Sequence, residues 1–462
     1  LVNRRTGQVI GTAHYLSPED LGVAAIALAI VQVVGLPVEL LFHDALIQRK
    51  ELEPAHTNSA FTVSVGMGAT FCAGCWLSAD LVEQALQTPR LGDVLKWMSL
   101  SLIGSGFGSA LIAMQRRRLE FRALALRSLI GRASSALIAI GLVFLGFGVW
   151  TLVVQQVLLV CLGTLTLWVL TQERPRFQLA LGPTRELVSF GWLSMTRNLL
   201  AIVVPRMFMI MVGGYLGPKT VGLLSLAFRG LDMLRDLSAI ALYQVAMPLF
   251  ARLQDSREAL FNAFDRALQL TALVAFPAFI GLSVCAPEVI SIAFGDRWLD
   301  ATPYFALIAL LNVPFFMRLY SSAVLNAIGK PGAPVIEEIA QIVFLLIGML
   351  TIGRLSSDHA MAVWASRLLI SIPIDMWIVK RVSGLSYELQ LRGAVLPAVA
   401  STAMGALLLP RKPVFEGLAP IVRVWPIALI GIALYVGVIL LIGRRQFRQV
   451  VSYVGQTLQT RS

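Results

Sequence analysis

The chain has 462 residues, of which 57% are hydrophobic and 14% charged, with a formal net charge of +12. So much apolar surface exceeds what one soluble core buries, so a bilayer is the expected solvent. Its basic residues gather at the ends of apolar runs, as membrane topology requires, which argues against a nucleic-acid partner.

In chain order, Thr6 to Leu16 reads as the end of a helix, weakened as a full span by Arg4, Arg5 and His14; since the chain opens on Leu1, upstream sequence is expected to be missing. Apolar runs of membrane-crossing length follow at Leu21 to Phe42, Phe61 to Leu81, Val94 to Met114, Ala123 to Phe147, Trp150 to Leu170, Leu187 to Leu216 and Val221 to Phe250. The series continues at Ala267 to Cys285, Tyr304 to Ile328, Val335 to Ile352, Met361 to Val379, Ala394 to Leu409 and Ile421 to Ile442. Runs of about 20 residues without two-residue alternation exclude a transmembrane barrel and predict an all-α integral membrane protein of about fourteen helices, the first one partial. The segment Arg252 to Arg266, with Leu253, Leu260, Phe261 and Phe264 among charges, reads as an amphipathic helix on the cytoplasmic face.

Assigning alternate loops to opposite sides places Arg49, Lys50, Arg116 to Arg118, Arg122, Arg174, Arg176, Lys380, Arg381, Arg444, Arg445 and Arg448 together, and leaves the other side poor in Lys and Arg. The positive-inside rule then puts both termini in the cytoplasm. Connections are too short for a separate soluble domain. The Cys72-Ala-Gly-Cys75 spacing lies in an apolar run and reads as packing rather than redox chemistry. Four scattered histidines offer no zinc spacing, and no phosphate loop or nucleophile motif appears, so neither a cofactor, a metal nor an enzyme activity is expected.

Arginines remain inside the spans at Arg127, Arg132, Arg197, Arg206, Arg229, Arg235, Arg318 and Arg367. Each costs about 2.5 to 3.5 kcal/mol at a helix centre unless it meets water, an acid or a snorkelling route. Acids within the spans are fewer, chiefly Asp232, Asp236, Glu337, Glu338 and Asp375, which predicts a net cationic interior. Arg206, Arg318 and Arg367, with Arg197 and Arg132, are the candidate lining of a substrate cavity, with buried structural pairing as the alternative. Arg229, Asp232, Arg235 and Asp375 are candidate ion-pair or gating residues, and Arg127 lies near enough to the cytoplasmic end to snorkel. A cationic cavity suits an anionic cargo, because guanidinium holds phosphate with two parallel hydrogen bonds.

Leu16-Ser-Pro-Glu-Asp-Leu-Gly22, Ala45-Leu-Ile-Gln-Arg-Lys50, Gln115-Arg-Arg-Arg-Leu-Glu-Phe-Arg-Ala-Leu124, Gly146-Phe-Gly-Val-Trp150, Leu216-Gly217 with Val221-Gly222, Ser225-Leu-Ala-Phe-Arg229 and Asn326-Ala-Ile-Gly-Lys-Pro331 occur in that order. Over residues 12 to 335 this series resembles the polysaccharide transporter family of oligosaccharide flippases, within the multidrug, oligosaccharidyl-lipid and polysaccharide exporter superfamily. The resemblance implies two six-helix bundles around a central cavity plus two C-terminal helices, divided here at 1–181, 182–385 and 386–462. It also implies a bacterial inner-membrane location and a cargo of undecaprenyl-pyrophosphate-linked oligosaccharide, moved by alternating access for exopolysaccharide, capsule or lipopolysaccharide synthesis. Membrane lipids, a polysaccharide polymerase and chain-length or export proteins are the implied partners. The alternatives are an exporter of another cargo, such as a lipid-linked peptidoglycan precursor or a drug, a membrane-embedded polymerase or ligase, or a scaffold in an export complex. Where relatives carry an acid in the seventh span this chain has Phe208, so no coupling role is carried over to that position.

Overall fold

The computed structural model describes residues 16–49, 51–172, 174–330, 332–333, 335–410, 417 and 419–442, except for the side chains at 190, 193, 194, 196–198, 201, 237, 240, 241 and 245. Thr6 to Tyr15, the bulk of the expected partial first helix, lie outside the described residues. Those residues form helices and connecting turns, with no strand among them.

Helix α1 spans Pro18–Leu40, and its start is written locally. The Ser17 hydroxyl accepts from the Asp20 N–H at 3.0 Å, Pro18 occupies the first turn, and Glu19 and Asp20 face the positive end of the helix dipole. A short α2, His43–Gln48, leads to α3, Pro54–Leu86, then α4, Leu91–Arg117, α5, Phe121–Phe144, and α6, Val149–Leu170. Helix α7 covers Leu181–Arg252 but breaks at Gly217, whose φ of 82° and ψ of 167° are not helical. The break separates the two spans that the sequence predicts on either side of it; only glycine takes that backbone cheaply.

Next come α8, Arg257–Val284, α9, Ala286–Phe294, and a 3₁₀ turn, Asp296–Ala301. They lead to α10, Thr302–Ala327, and to α11, Val335–Gly348, which runs into a π turn, Met349–Gly353. Helices α12, Ser357–Ser383, α13, Tyr387–Leu408, and α14, Pro420–Ile442, close the described chain. Twelve stretches among the described residues are long and apolar enough to cross a membrane, with the broken α7 counted once. Leu77 is 85% exposed and Leu137 71%, apolar side chains that a bilayer rather than water would cover.

The expected surface helix over Arg252 to Arg266 is not separate. The chain turns at 253–256, the Ser256 hydroxyl caps the next helix, and Arg257 onward is the first part of α8. Leu260, Phe264 and Leu268 are buried one turn apart, so a single apolar stripe continues from the charged segment into the span.

The described residues form two compact units. One draws on described residues up to Ser225 and on Ile342–Val363, the other on Leu226–Gln341 and the described residues from Trp364 onward. In the first, α4 packs between two helices through small residues. A Cβ on Gly106 would come within 2.7 Å of the Ser64 carbonyl oxygen of α3, and one on Gly108 within 2.8 Å of the Thr164 hydroxyl of α6. Phe61 anchors an aromatic cluster with Phe107, Trp168 and Phe177, ring centroids 5.0–5.8 Å from its own. Cys72 and Cys75 are buried free thiols, and the Cys72 sulfur lies 3.4 Å from the Ser99 hydroxyl, so the pair packs as expected.

The first unit also contains a reciprocal crossing. A Cβ added to Gly22 would overlap the Pro218 carbonyl, and one added to Gly222 would overlap the Pro18 carbonyl. The same Pro-x-x-x-Gly pattern thus recurs at 18–22 and 218–222, and each copy seats its glycine on the other's proline backbone.

In the second unit Tyr320 is buried with its hydroxyl 2.6 Å from that of Thr271, and the Tyr435 hydroxyl donates to the Leu273 carbonyl at 2.9 Å. The latter bond ties α14 to α8 in a core with Ile280, Met404 and Ile439.

Candidate functional site

Three helices of the second unit bring charge together inside the spans. Arg318 of α10 forms an ion pair with Glu337 of α11, donates to the Ser371 hydroxyl at 2.8 Å, and holds Asp375 of α12 at 3.7 Å. Glu337 also accepts from Gln341 at 2.7 Å, one turn along α11. The Gln341 carbonyl in turn accepts from Arg367, whose guanidinium lies 4.0 Å over the Trp364 ring. Arg367, Ser371 and Asp375 recur every fourth residue of α12, which puts them on one face of that helix.

Glu337, Asp375, Gln341, Ser371 and Arg367 are all buried. An ion pair taken out of water is held best where further hydrogen bonds satisfy its remaining donors and acceptors; here the serine and glutamine provide some, while Arg318 Nε, Arg367 Nε and Asp375 Oδ2 have no hydrogen-bond partner among the described residues. With Glu338 within electrostatic reach of both guanidiniums, acids match or exceed the arginines. In this cluster acids balance the cations, against the net cationic interior that composition predicts. Charge counts along the sequence cannot show which acids meet which arginines.

A smaller pair lies on the second half of α7. Arg235 meets Asp232 at 2.8 Å and Asp236 at 2.9 Å, and its guanidinium sits 4.7 Å from the Phe315 ring centre. Arg229, half-buried, occupies the same helix two turns earlier. Spacing identified Asp232 as a partner for Arg235; the bond to Asp236, the next residue, is one that helix-face arguments pass over.

Arg132 of α5 and Arg206 of α7 belong to the first unit, where both are half-buried and Phe208 is fully buried. The side chain of Arg197 lies outside the described residues. The geometry therefore joins Arg318, Arg367 and Asp375, and separately Arg235 with Asp232.

A profile of the family described as polysaccharide biosynthesis protein matches residues 13–303. The chain belongs to this family. Among its relatives, the succinoglycan biosynthesis transport protein ExoT of Rhizobium meliloti (strain 1021) is 28% identical over 300 residues, 64% of this chain and 60% of ExoT. This chain thus aligns with less than two thirds of ExoT's length. The lipopolysaccharide biosynthesis protein WzxC of Escherichia coli (strain K12) is 23% identical over 436 residues, 87% of this chain and 84% of WzxC. Of solved structures, the lipid II flippase MurJ in an inward closed conformation superposes with a TM-score of 0.78 at 14% identity, over 96% of this chain and 97% of MurJ. An inward-facing multidrug resistance MATE transporter of the MOP superfamily gives 0.64 at 13% identity, over 83% and 95%. These likenesses bear out the all-α membrane fold.

Within this polysaccharide biosynthesis chain, the motifs that carried the resemblance are chiefly architectural. Ser17 to Gly22 starts α1 and supplies one side of the reciprocal crossing, and Gly217 to Gly222 breaks α7 and supplies the other. Gly146 to Trp150 turns α5 into α6 through left-handed glycines at 146 and 148. The same turn lines a cleft of about 440 Å³ with Asp20, Arg90 and Asp93, in which Arg90 stands 4.0 Å from Asp20. Motif order signalled this cleft's aromatic wall and Asp20, whereas no motif brought Arg90 and Asp93 to it.

Proposed function

We propose that the chain is a flippase that carries an undecaprenyl-diphosphate-linked oligosaccharide from the cytoplasmic to the periplasmic leaflet of a bacterial inner membrane. The observation that carries the reading is a MurJ-like membrane fold, in a polysaccharide biosynthesis chain, whose spans hold ordered guanidinium groups at Arg318 and Arg367. Charged groups at membrane depth are expensive and mark substrate pathways or relays.

Under this reading, residues 1–181 and 182–385 form the two six-helix bundles, residues 386–462 hold two extra helices, and both termini face the cytoplasm. Arg132, Arg197, Arg206, Arg318 and Arg367 present positive charge to the cargo's head, with Arg318 and Arg367 set among acids that hold them in place. Arg229, Asp232, Arg235 and Asp375 serve as ion pairs that re-form as access alternates. ExoT is named for transport in succinoglycan biosynthesis and WzxC for lipopolysaccharide biosynthesis, which supports a cargo of that class here. A polymerase and chain-length or export proteins receive the product, and the chain itself makes and breaks no covalent bond.

Expression of the full chain in a strain lacking its own oligosaccharide flippase tests this. Surface polysaccharide is expected to return with the parent and to fall roughly tenfold with Arg206→Gln at equal protein level, the scale of one lost charge-assisted contact. A parent that is stably inserted yet restores no polysaccharide in any such host contradicts the reading.

A further inference from the structure

Arg127 sits six residues into α5, about 9 Å along the helix from Phe121 at 1.5 Å per residue. Its side chain lies against α6, where Gly163 leaves room: a Cβ there would stand 3.4 Å from the arginine's Cγ and 3.7 Å from its Nε. That Nε is buried and has no hydrogen-bond partner among the described residues. Arg116, Arg132 and Glu39 are the charged groups within electrostatic reach, three guanidiniums around one carboxylate. Glu39 is further engaged by the Ser105 hydroxyl at 2.9 Å, and Arg116 by the His43 ring at 2.9 Å.

Arg117, close by, shows what an arginine with a structural role looks like. One of its terminal nitrogens donates to the carbonyls of Leu46, Ile47 and Arg49 at 2.5–3.2 Å, which closes the C-terminal end of α2. Arg127 has no such work. A half-buried cation whose Nε has no hydrogen bond, with Glu39 already engaged by Ser105, is costly unless something anionic arrives to meet it.

We propose that Arg127, flanked by Arg116 and Arg132, is a docking station for a phosphate or diphosphate group at the arginine-rich end of the first unit. The assignment rests on the flippase reading for its cargo, and it deepens it by placing the diphosphate head on α5, at residues other than Arg318 and Arg367. Guanidinium supplies the paired donors that phosphate oxygens accept and carries the charge that matches them.

The test is binding of radiolabelled farnesyl diphosphate to the full chain in phosphatidylcholine nanodiscs, for the parent, Arg127→Met and Arg127→Lys. The methionine variant is expected to bind roughly tenfold more weakly or worse, the scale of one charge-assisted hydrogen bond, and to melt no lower than the parent. The lysine variant is expected to recover part of the affinity. Competition by inorganic pyrophosphate, or by phosphatidylglycerol added to the disc, separates a free anion or a membrane headgroup from a prenyl-linked one. Unchanged binding in Arg127→Met overturns the assignment, as does loss of binding that tracks a lowered melting midpoint. A parent that exports polysaccharide while Arg127→Met binds normally sinks this site alone; Arg127-dependent binding in a parent that exports nothing sinks the flippase reading and leaves the site.

Discussion

Glu337→Ala should destabilise the chain by about 3 kcal/mol, because it leaves the half-buried Arg318 with the more distant Asp375 as its remaining ion-pair partner. Arg318→Ala should cost a similar amount, stranding Glu337 and Asp375 together. The double replacement Arg318→Met with Glu337→Met removes the pair and fills the space with apolar atoms, so it should recover part of that loss, with Asp375 left behind. Unfolding of the detergent-purified Arg318→Met and Glu337→Met single variants alongside the double, read as a double-mutant cycle, gives the coupling directly. Strong non-additivity identifies the pair as a structural joint between α10 and α11. Simple addition of the two single effects would show that the guanidinium and carboxylate act independently. A stable double variant that fails to export would add a cargo-facing role to Arg318.

The second large effect is expected at the reciprocal crossing of α1 and α7. Gly22→Leu and Gly222→Leu each force a side chain into a proline carbonyl of the other segment, and backbone cannot step aside as a flexible side chain can. Overpacking of this kind typically costs about 1–3 kcal/mol and more where the obstacle is rigid. Even Gly22→Ala should destabilise. Gly74→Ala in α3, where a Cβ would meet nothing, should instead stabilise by up to about 1 kcal/mol, the ordinary gain of alanine over glycine in a helix. Opposite signs at positions 22 and 74, measured by thermal unfolding, separate close approach from helix propensity. A stabilising Gly22→Ala would mean that the two segments do not cross as described.

The spans were legible because apolar runs of bilayer length leave little choice of secondary structure. Their ends were less so. Helix α3 begins at Pro54, several residues before the apolar run at Phe61, because polar residues of its first turns have partners off the helix. Asn58 accepts from the Arg176 N–H at 2.9 Å, Thr62 from the Gln178 N–H at 3.0 Å, and Ser59 from the Ala180 N–H at 3.0 Å. Hydropathy sees these side chains as a loop, whereas they strap the segment before α7 along α3.

Site geometry was only partly legible for the same reason. Spacing along one helix finds neighbours such as Asp232 and Arg235, or puts Arg367 and Asp375 on one face. It cannot find that Asp375 answers Arg318 from another helix, or that Gln341 stands between Glu337 and Arg367. The reciprocal crossing did leave a trace, the repeated Pro-x-x-x-Gly at 18–22 and 218–222. Two halves that share a motif invite the expectation that the motifs meet.

Transport of a lipid-linked glycan between leaflets is read from the sidedness of the glycan. In spheroplasts of the flippase-deficient strain, newly made lipid-linked repeat units are labelled and then exposed to a membrane-impermeant glycosidase or lectin. With the full chain present they are expected to become accessible from outside, and without it to accumulate protected on the cytoplasmic side. Repeat units that stay protected although the chain is inserted at normal level would contradict the account.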